Sequence, residues 1–173
     1  MIKLLILLFL LPGSAHAASE LRIYSAVTQG LTVPTSGTGQ SVLAIFNPST
    51  STHRAHISGV LIYHETGSAA DGIRWSIRRN AVFSSSGTLI ARRKLNFGAG
   101  KKSQMEAGIN PVVADGDTGK AVILAVSYRD APVVLKIDPA IIVRPGESFY
   151  LRGGALSSAA DVSVTILWSE TKQ

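Results

Sequence analysis

Short apolar stretches, each ended by Gly, Pro, Asn or Ser, are the feature that most limits how this chain can fold. In 73–79 and again in 161–169, large apolar residues alternate with polar or smaller ones. A period of two is typical of a strand with one face on a core and one face in water. The runs 121–128 and 133–137 predict two further, more uniformly apolar strands.

The spacing of these runs predicts a single class of fold. About eight or nine short strands with turn signals between them, and no segment of convincing helical periodicity, favour a β-sandwich or barrel. The chain shows no internal repeat, which argues against propellers and solenoids. We therefore expect an all-β protein with a single sandwich or barrel domain over 41–173, which the family resemblance given below narrows to a jelly-roll β-sandwich.

The first residues have the pattern of a signal peptide over 1–17. Lys3 precedes an apolar run at 4–11, and an A-x-A cleavage motif lies at 15–17. The run is about half of the roughly 20 residues that a membrane-spanning helix needs. We expect cleavage before Ala18, no membrane association afterwards, and export to a periplasm, the extracellular space or a virion. Residues 18–40 are predicted to form an N-terminal strand and a flexible arm.

The chain contains no cysteine, which excludes disulfides, thiolate metal sites and cysteine nucleophiles. The mature chain of about 156 residues is long enough to bury a core without them.

Basic residues are concentrated in one part of a chain whose net charge is +6. Such a cluster is either a solvated face or a surface for an anionic partner such as lipopolysaccharide, an acidic glycan or an acidic subunit. Neither a basic helix nor an aromatic stacking ladder is present, so nucleic acid is not the predicted partner. The candidate anion-binding residues are Arg74, Arg78, Arg92, Arg93 and Lys94.

Motifs for catalysis or metal binding are missing from the sequence. His53 and His56 lack the further ligands of a zinc site, and there is no GxSxG motif for a serine nucleophile. The segment 115–119, DGDTG, is an incomplete calcium loop that is better explained as a turn, although a weak calcium site stays open. We expect no enzyme activity, no cofactor and no metal.

Aromatic residues allow two interpretations. Trp75 and Trp168 lie on the apolar sides of the two alternating segments, where core packing or a sugar-stacking platform would explain them. Tyr24, Tyr63 and Tyr128 share this ambiguity.

Four segments in order resemble a family of phage structural proteins with a small jelly-roll domain, similar in shape to the trimeric tumour necrosis factor fold. The segments are LAIFNPS at 43–49, 73–80 followed by Gly87 and Thr88, VRPGES at 143–148, and 162–170 ending in LWSE. The resemblance covers about 130 residues, nearly a whole domain of typical size. It implies a non-enzymatic virion component, often trimeric, such as a capsid decoration, a spike or a tail-associated piece.

The predicted signal peptide departs from that family, whose members assemble in the cytoplasm. Two alternatives follow. The chain could be an exported fibre or surface subunit in which residues 18–40 complete the sheet of a neighbour, or a secreted carbohydrate-binding module. In the virion and the fibre hypotheses, the partner is another copy of the chain, in a trimer or a polymer.

Overall fold

The computed structural model describes residues 22–35, 39–65, 72–95, 102–114, 119–128 and 131–173. Within these ranges every regular element is a β-strand, and the strands pair antiparallel in two large sheets. The prediction of an all-β sandwich is confirmed. The predicted signal peptide at 1–17 lies outside the described residues.

Fourteen strands make up this part of the chain. They are β1 (Arg22–Val27), β2 (Leu31–Val33), β3 (Gln40–Phe46), β4 (His53–His64), β5 (Ile73–Arg79), β6 (Phe83–Ser85), β7 (Thr88–Leu89), β8 (Arg92–Lys94), β9 (Glu106–Ile109), β10 (Val112–Val113), β11 (Lys120–Ser127), β12 (Val133–Val143), β13 (Ser148–Ala155) and β14 (Ala160–Lys172).

The first sheet has the order β12-β4-β14-β1-β8, with β2 also paired to β14. The second has the order β11-β5-β13-β3-β9-β7, and β10 and β6 form a separate two-stranded ladder. Long strands that follow one another in the chain mostly lie in opposite sheets, as from β3 to β4 to β5 and from β11 through β14. This order is compatible with a jelly roll, and the jelly-roll topology itself stays a prediction.

The core lies between the two sheets and is built from the alternating strands. In β14 the residues Val162, Val164, Ile166 and Trp168 are fully buried, while the residues between them are half-buried. β5 buries Ile73, Trp75 and Ile77 in the same way. Because burial of apolar area is the main favourable term in folding, these inward faces hold the sandwich together.

Both tryptophans belong to this core. Trp75 and Trp168 are each 0% exposed, and Trp168 stacks on the buried Tyr24 with ring centroids 5.9 Å apart. The core-packing interpretation therefore holds for these rings, and neither indole can serve as a sugar platform. Tyr63 and Tyr128 are more than half exposed.

A second, smaller apolar cluster covers part of the outer face of the second sheet. Phe83 of β6 meets Phe46 and Tyr150 edge-on, with ring centroids 5.0 and 5.2 Å apart. Tyr150 is fully buried beneath this cover. The β6–β10 ladder thus covers one part of the outer face of the second sheet.

The strands before residue 40 belong to the first sheet. β1 lies inside the first sheet, between β14 and β8, and β2 pairs with β14 at Leu31–Val33. Residues 22–33 therefore form part of the sandwich, because their backbone groups pair with β14. Residues 18–21 and 36–38 of the predicted arm lie outside the described residues.

No helix in the described ranges is long and apolar enough to cross a membrane.

Candidate functional site

Strand β11 forms one end of the second sheet and presents an apolar outer face. Val122, Leu124, Val126 and Tyr128 project outward, and Leu124 is 73% exposed. On the inner side, Ile123 and Ala125 pack against the core, and Ser127 is fully buried. We call residues 120–128 the β11 edge. In the part of the chain that the structure describes, β5 is the only strand paired with β11.

The strands at the other ends of the two large sheets are β12, β8 and β7. Each has a feature that discourages pairing with another chain. β12 contains the exposed ion pair Lys136–Asp138, with Nζ and Oδ2 3.7 Å apart, followed by Pro139 and a register shift. β8 consists of two arginines and a lysine, and β7 is only two residues long. Charges, prolines, irregularities and short length are the usual means of protecting sheet edges.

The β11 edge has little of this protection. It carries one register shift, between Ala121 and Ile123, but 121–128 contains neither a charged residue nor a proline. An exposed apolar edge without charges or prolines readily pairs with another strand, and from Ile123 to Ser127 the register with β5 is regular.

A groove lies beside the β11 edge on the outer face of the second sheet. Its volume is about 440 Å³, and its walls include Thr35, Gly39, Arg74, Leu124, Arg152 and Leu156. We call it the arginine groove.

The strand register explains the hollow shape of the arginine groove. Arg74 of β5 lies opposite Gly154 of β13, and Arg152 of β13 lies opposite Ser76 of β5. Each arginine therefore faces a residue with little or no side chain, which leaves space between the two guanidinium groups.

The arginine groove is electropositive and its charges are not balanced nearby. Arg152 Nη2 donates to the Gly39 carbonyl oxygen at 2.8 Å, while Arg152 Nε is buried and lacks a hydrogen-bond acceptor among the described residues. In the same part of the chain, neither Arg74 nor Arg152 forms an ion pair with a carboxylate. Such an arrangement can bind an anion.

The five predicted anion-binding residues are divided between the two sheets. Arg74 and Arg78 lie on β5 in the second sheet, whereas Arg92, Arg93 and Lys94 form β8 at the end of the first sheet. Arg78 Nε donates to Ser76 Oγ at 2.9 Å, and Arg92 Nη1 donates to the Met105 carbonyl oxygen.

Sequence reasoning missed Arg152, which the structure places beside Arg74. The available signal was its isolation, because it is the only charged residue in β13, a strand otherwise made of apolar, glycine and serine residues.

The described residues contain no group of three or more His, Asp, Glu or Cys side chains able to hold a metal ion. Asp115 and Asp117, the acids of the possible calcium loop, lie outside the described residues.

A buried polar network links the two sheets near the start of β5. His64 Nε2 and Trp75 Nε1 each lie 2.6 Å from Ser127 Oγ. Ser127 Oγ accepts the indole hydrogen, and the direction of its hydrogen bond with His64 Nε2 depends on the tautomer of the imidazole. A serine beside a histidine can act as a nucleophile, but Ser127 is fully buried and out of reach of a substrate. The network is structural.

Acid should weaken the fold through His64. Burial lowers the pKa of this imidazole below its ordinary value of 6.5, so the unfolded chain binds a proton more readily than the folded one. The free energy of unfolding should therefore be constant above about pH 6.5 and fall as the pH drops below it. Urea unfolding of the protein and of His64→Gln at pH 7.5 and 5.5 tests this. Gln can still accept a hydrogen bond but does not titrate, so its stability should change less. An equal change in both proteins would show that other groups cause the acid sensitivity.

Comparison of the chain with protein-family models, with curated proteins and with solved structures gives no match.

Proposed function

We propose that this protein is a non-enzymatic structural subunit that self-associates by pairing its β11 edge with the β11 edge of a second copy. The observation that carries the proposal is the exposed apolar run 121–128 on an outer strand, which has neither charge nor proline, whereas the other outer strands in the described part of the chain are very short or carry charges. Strand addition supplies main-chain hydrogen bonds for affinity and side-chain contacts for register.

An antiparallel contact between two β11 edges is self-complementary. With Leu124 opposite the same residue of the second copy, Val122 lies opposite Val126, and Lys120 lies opposite Tyr128. This register places the exposed apolar side chains of the two copies side by side. It also keeps the two lysines at opposite ends of the ladder, so the contact brings no like charges together. A two-fold contact of this kind uses the same patch on both subunits.

The two-fold contact closes after two copies, so a trimer or polymer needs another surface. The outer face of the first sheet offers one. Val134 of β12 lies opposite Leu61 of β4. On its other side Leu61 lies opposite Thr165 of β14, and Thr165 lies opposite Val27 of β1. The three apolar side chains are exposed, with Val134 at 70%. Apolar rows of this kind mark contact surfaces more often than solvent-facing ones.

Within this class we propose a phage-like virion component, such as a capsid decoration, spike or tail-associated piece. The support is the order of the four sequence segments, which fall on β3, β5 with the turn before β7, the turn before β13, and β14. An exported fibre built by donation of residues 18–40 has less support, because 22–27 and 31–33 already pair with β14.

Leu124→Lys should break the contact between copies. In the proposed register two lysines would face each other, and opposed like charges should raise the dissociation constant by at least about tenfold. Because Leu124 is largely exposed within one copy, the variant should fold, and at protein concentrations where the parent is monomeric the two melting temperatures should be similar. Light scattering after size-exclusion chromatography, over a range of protein concentrations, measures the mass.

The matched control is Leu89→Lys, which places the same change on the exposed outer strand β7. It should leave the mass unchanged. If both variants keep the mass of the parent protein, or both become monomers, the β11 edge is not the contact.

A further inference from the structure

We infer that the arginine groove binds an oxyanion, such as a carboxylate or sulfate, carried on a molecule with an apolar face. The groove is formed within one copy of the chain, and it shares Leu124 with the β11 edge.

The placement of the two arginines is the first argument. Arg74 and Arg152 lie on adjacent antiparallel strands and are offset by two residues. Diagonal neighbours of this kind are about 7–8 Å apart and can reach the same space with long side chains. Two like charges that share a hollow repel each other unless an anion lies between them, and no described carboxylate does so.

The hydrogen bonding of Arg152 is the second argument. Its Nη2 is held by the Gly39 carbonyl oxygen, which fixes the plane of the guanidinium, while Nε remains buried without an acceptor among the described residues. Nε is closed to solvent, so a ligand in the groove would meet the outer N–H groups of Arg152, of which Nη1 is neither buried nor hydrogen-bonded within the described residues. A guanidinium presents its N–H groups as a planar fork that suits the oxygens of an oxyanion.

The walls of the groove indicate what carries the anion. Leu124 and Leu156 are both at least half exposed and line the same space as the two arginines. Thr35 and Ser76 add hydroxyl groups. A volume of about 440 Å³ falls within the range of small-molecule sites. An aliphatic acid or an acidic sugar, whose ring has an apolar face, would fit this lining.

Titrations of the folded protein followed by NMR test the inference with five probes. Hexanoate and methyl glucuronide carry a carboxylate on an aliphatic chain and on a sugar, hexanol and methyl glucoside are their neutral counterparts, and sulfate is the free anion. We expect at least one of the two acids to bind about tenfold more tightly than its neutral counterpart. The acid that binds more tightly shows whether the ligand carries its anion on an acyl chain or on a sugar ring.

Variants locate the site. Arg74→Gln should weaken binding of the preferred acid about tenfold, and Arg152→Met should do the same if its melting temperature shows that it folds. The matched control is Arg93→Gln, an exposed arginine on β8 in the other sheet, which should change binding by less than about twofold. Leu156→Ser should weaken binding of the preferred acid but not binding of sulfate.

Three results would overturn the inference. Equal losses in Arg74→Gln and Arg93→Gln would indicate attraction to overall charge alone. Equal binding of the acids and their neutral counterparts would show that the arginines do not bind the anionic group. No binding of any probe at concentrations up to about 10 mM, well above a millimolar dissociation constant, would leave the groove without this class of ligand.

Discussion

Trp75→Ala should lower the free energy of unfolding by about 3–5 kcal/mol, the usual cost of removing a large buried aromatic side chain. The indole is 0% exposed and fills the space beneath Gly153 of the neighbouring strand. A Cβ at position 153 would lie only 2.8 Å from the Trp75 ring, which shows how closely ring and backbone are packed. The indole N–H also donates to Ser127 Oγ. Urea unfolding monitored by circular dichroism measures the loss.

Two further variants separate the causes. Trp75→Phe keeps most of the packing but removes the N–H, so its cost should be smaller, about 1–3 kcal/mol. Tyr63→Ala removes an aromatic ring that is more than half exposed and should cost less than about 1 kcal/mol. If Trp75→Ala were no more destabilising than Tyr63→Ala, the packing between β5 and β13 described above would be incorrect.

Glu170→Ala should lower the free energy of unfolding by roughly 2–5 kcal/mol. The Glu170 carboxyl is 3% exposed and accepts hydrogen bonds from the Ser103 hydroxyl, the Gln104 N–H at 3.1 Å and the Trp168 indole N–H at 3.1 Å. Removing the acceptor leaves the buried Trp168 N–H without a partner at a cost of about 1–3 kcal/mol. The part-buried hydrogen bonds from Ser103 and Gln104 add to this cost, less where water replaces the carboxylate.

The measurement is urea unfolding combined with hydrogen exchange of residues 102–105, which this carboxyl holds against β14. The control is Glu147→Ala, because Glu147 is half-buried and accepts from the Arg144 N–H at the surface. That variant should cost less than about 1 kcal/mol. Equal costs for the two variants, with unchanged exchange at 102–105, would argue against a structural role for Glu170.

Periodicity made the core strands predictable. β5 alternates throughout and β14 alternates except at Leu167, so their buried faces follow from the sequence, and both tryptophans lie where the alternation puts them. In the Gly-rich stretch 97–119, a short strand is predicted near 111–114, where β10 lies, but β9 is a four-residue strand set by distant partners rather than by local pattern.

The position of the N-terminal strands could not be predicted. The polar composition of 29–40 suggests an arm, but Leu31–Val33 pairs with β14, about 130 residues later in the chain. Local sequence does not encode a contact over such a distance.

The candidate site could be predicted only in part, because distant strands also determine which basic residues lie together. Neighbouring basic residues in the chain were separated between two sheets, while Arg152 came together with Arg74 from 78 positions away. The run 121–128 predicts an apolar strand correctly. Continuous apolar runs are typical of strands buried on both faces, but this one lies at the end of a sheet with one face exposed. That mismatch adds to the reasons for proposing that the β11 edge pairs with the same edge of a second copy.

Backbone hydrogen exchange of the β11 edge, measured at several protein concentrations, tests the proposed self-association most directly. We expect exchange in 120–128 to slow as the protein concentration rises, while exchange in the outer strand β12 at 133–143 stays the same. In Leu124→Lys the dependence on concentration should disappear. Exchange at 120–128 that does not depend on concentration, or that slows equally in Leu124→Lys, would contradict pairing through this strand.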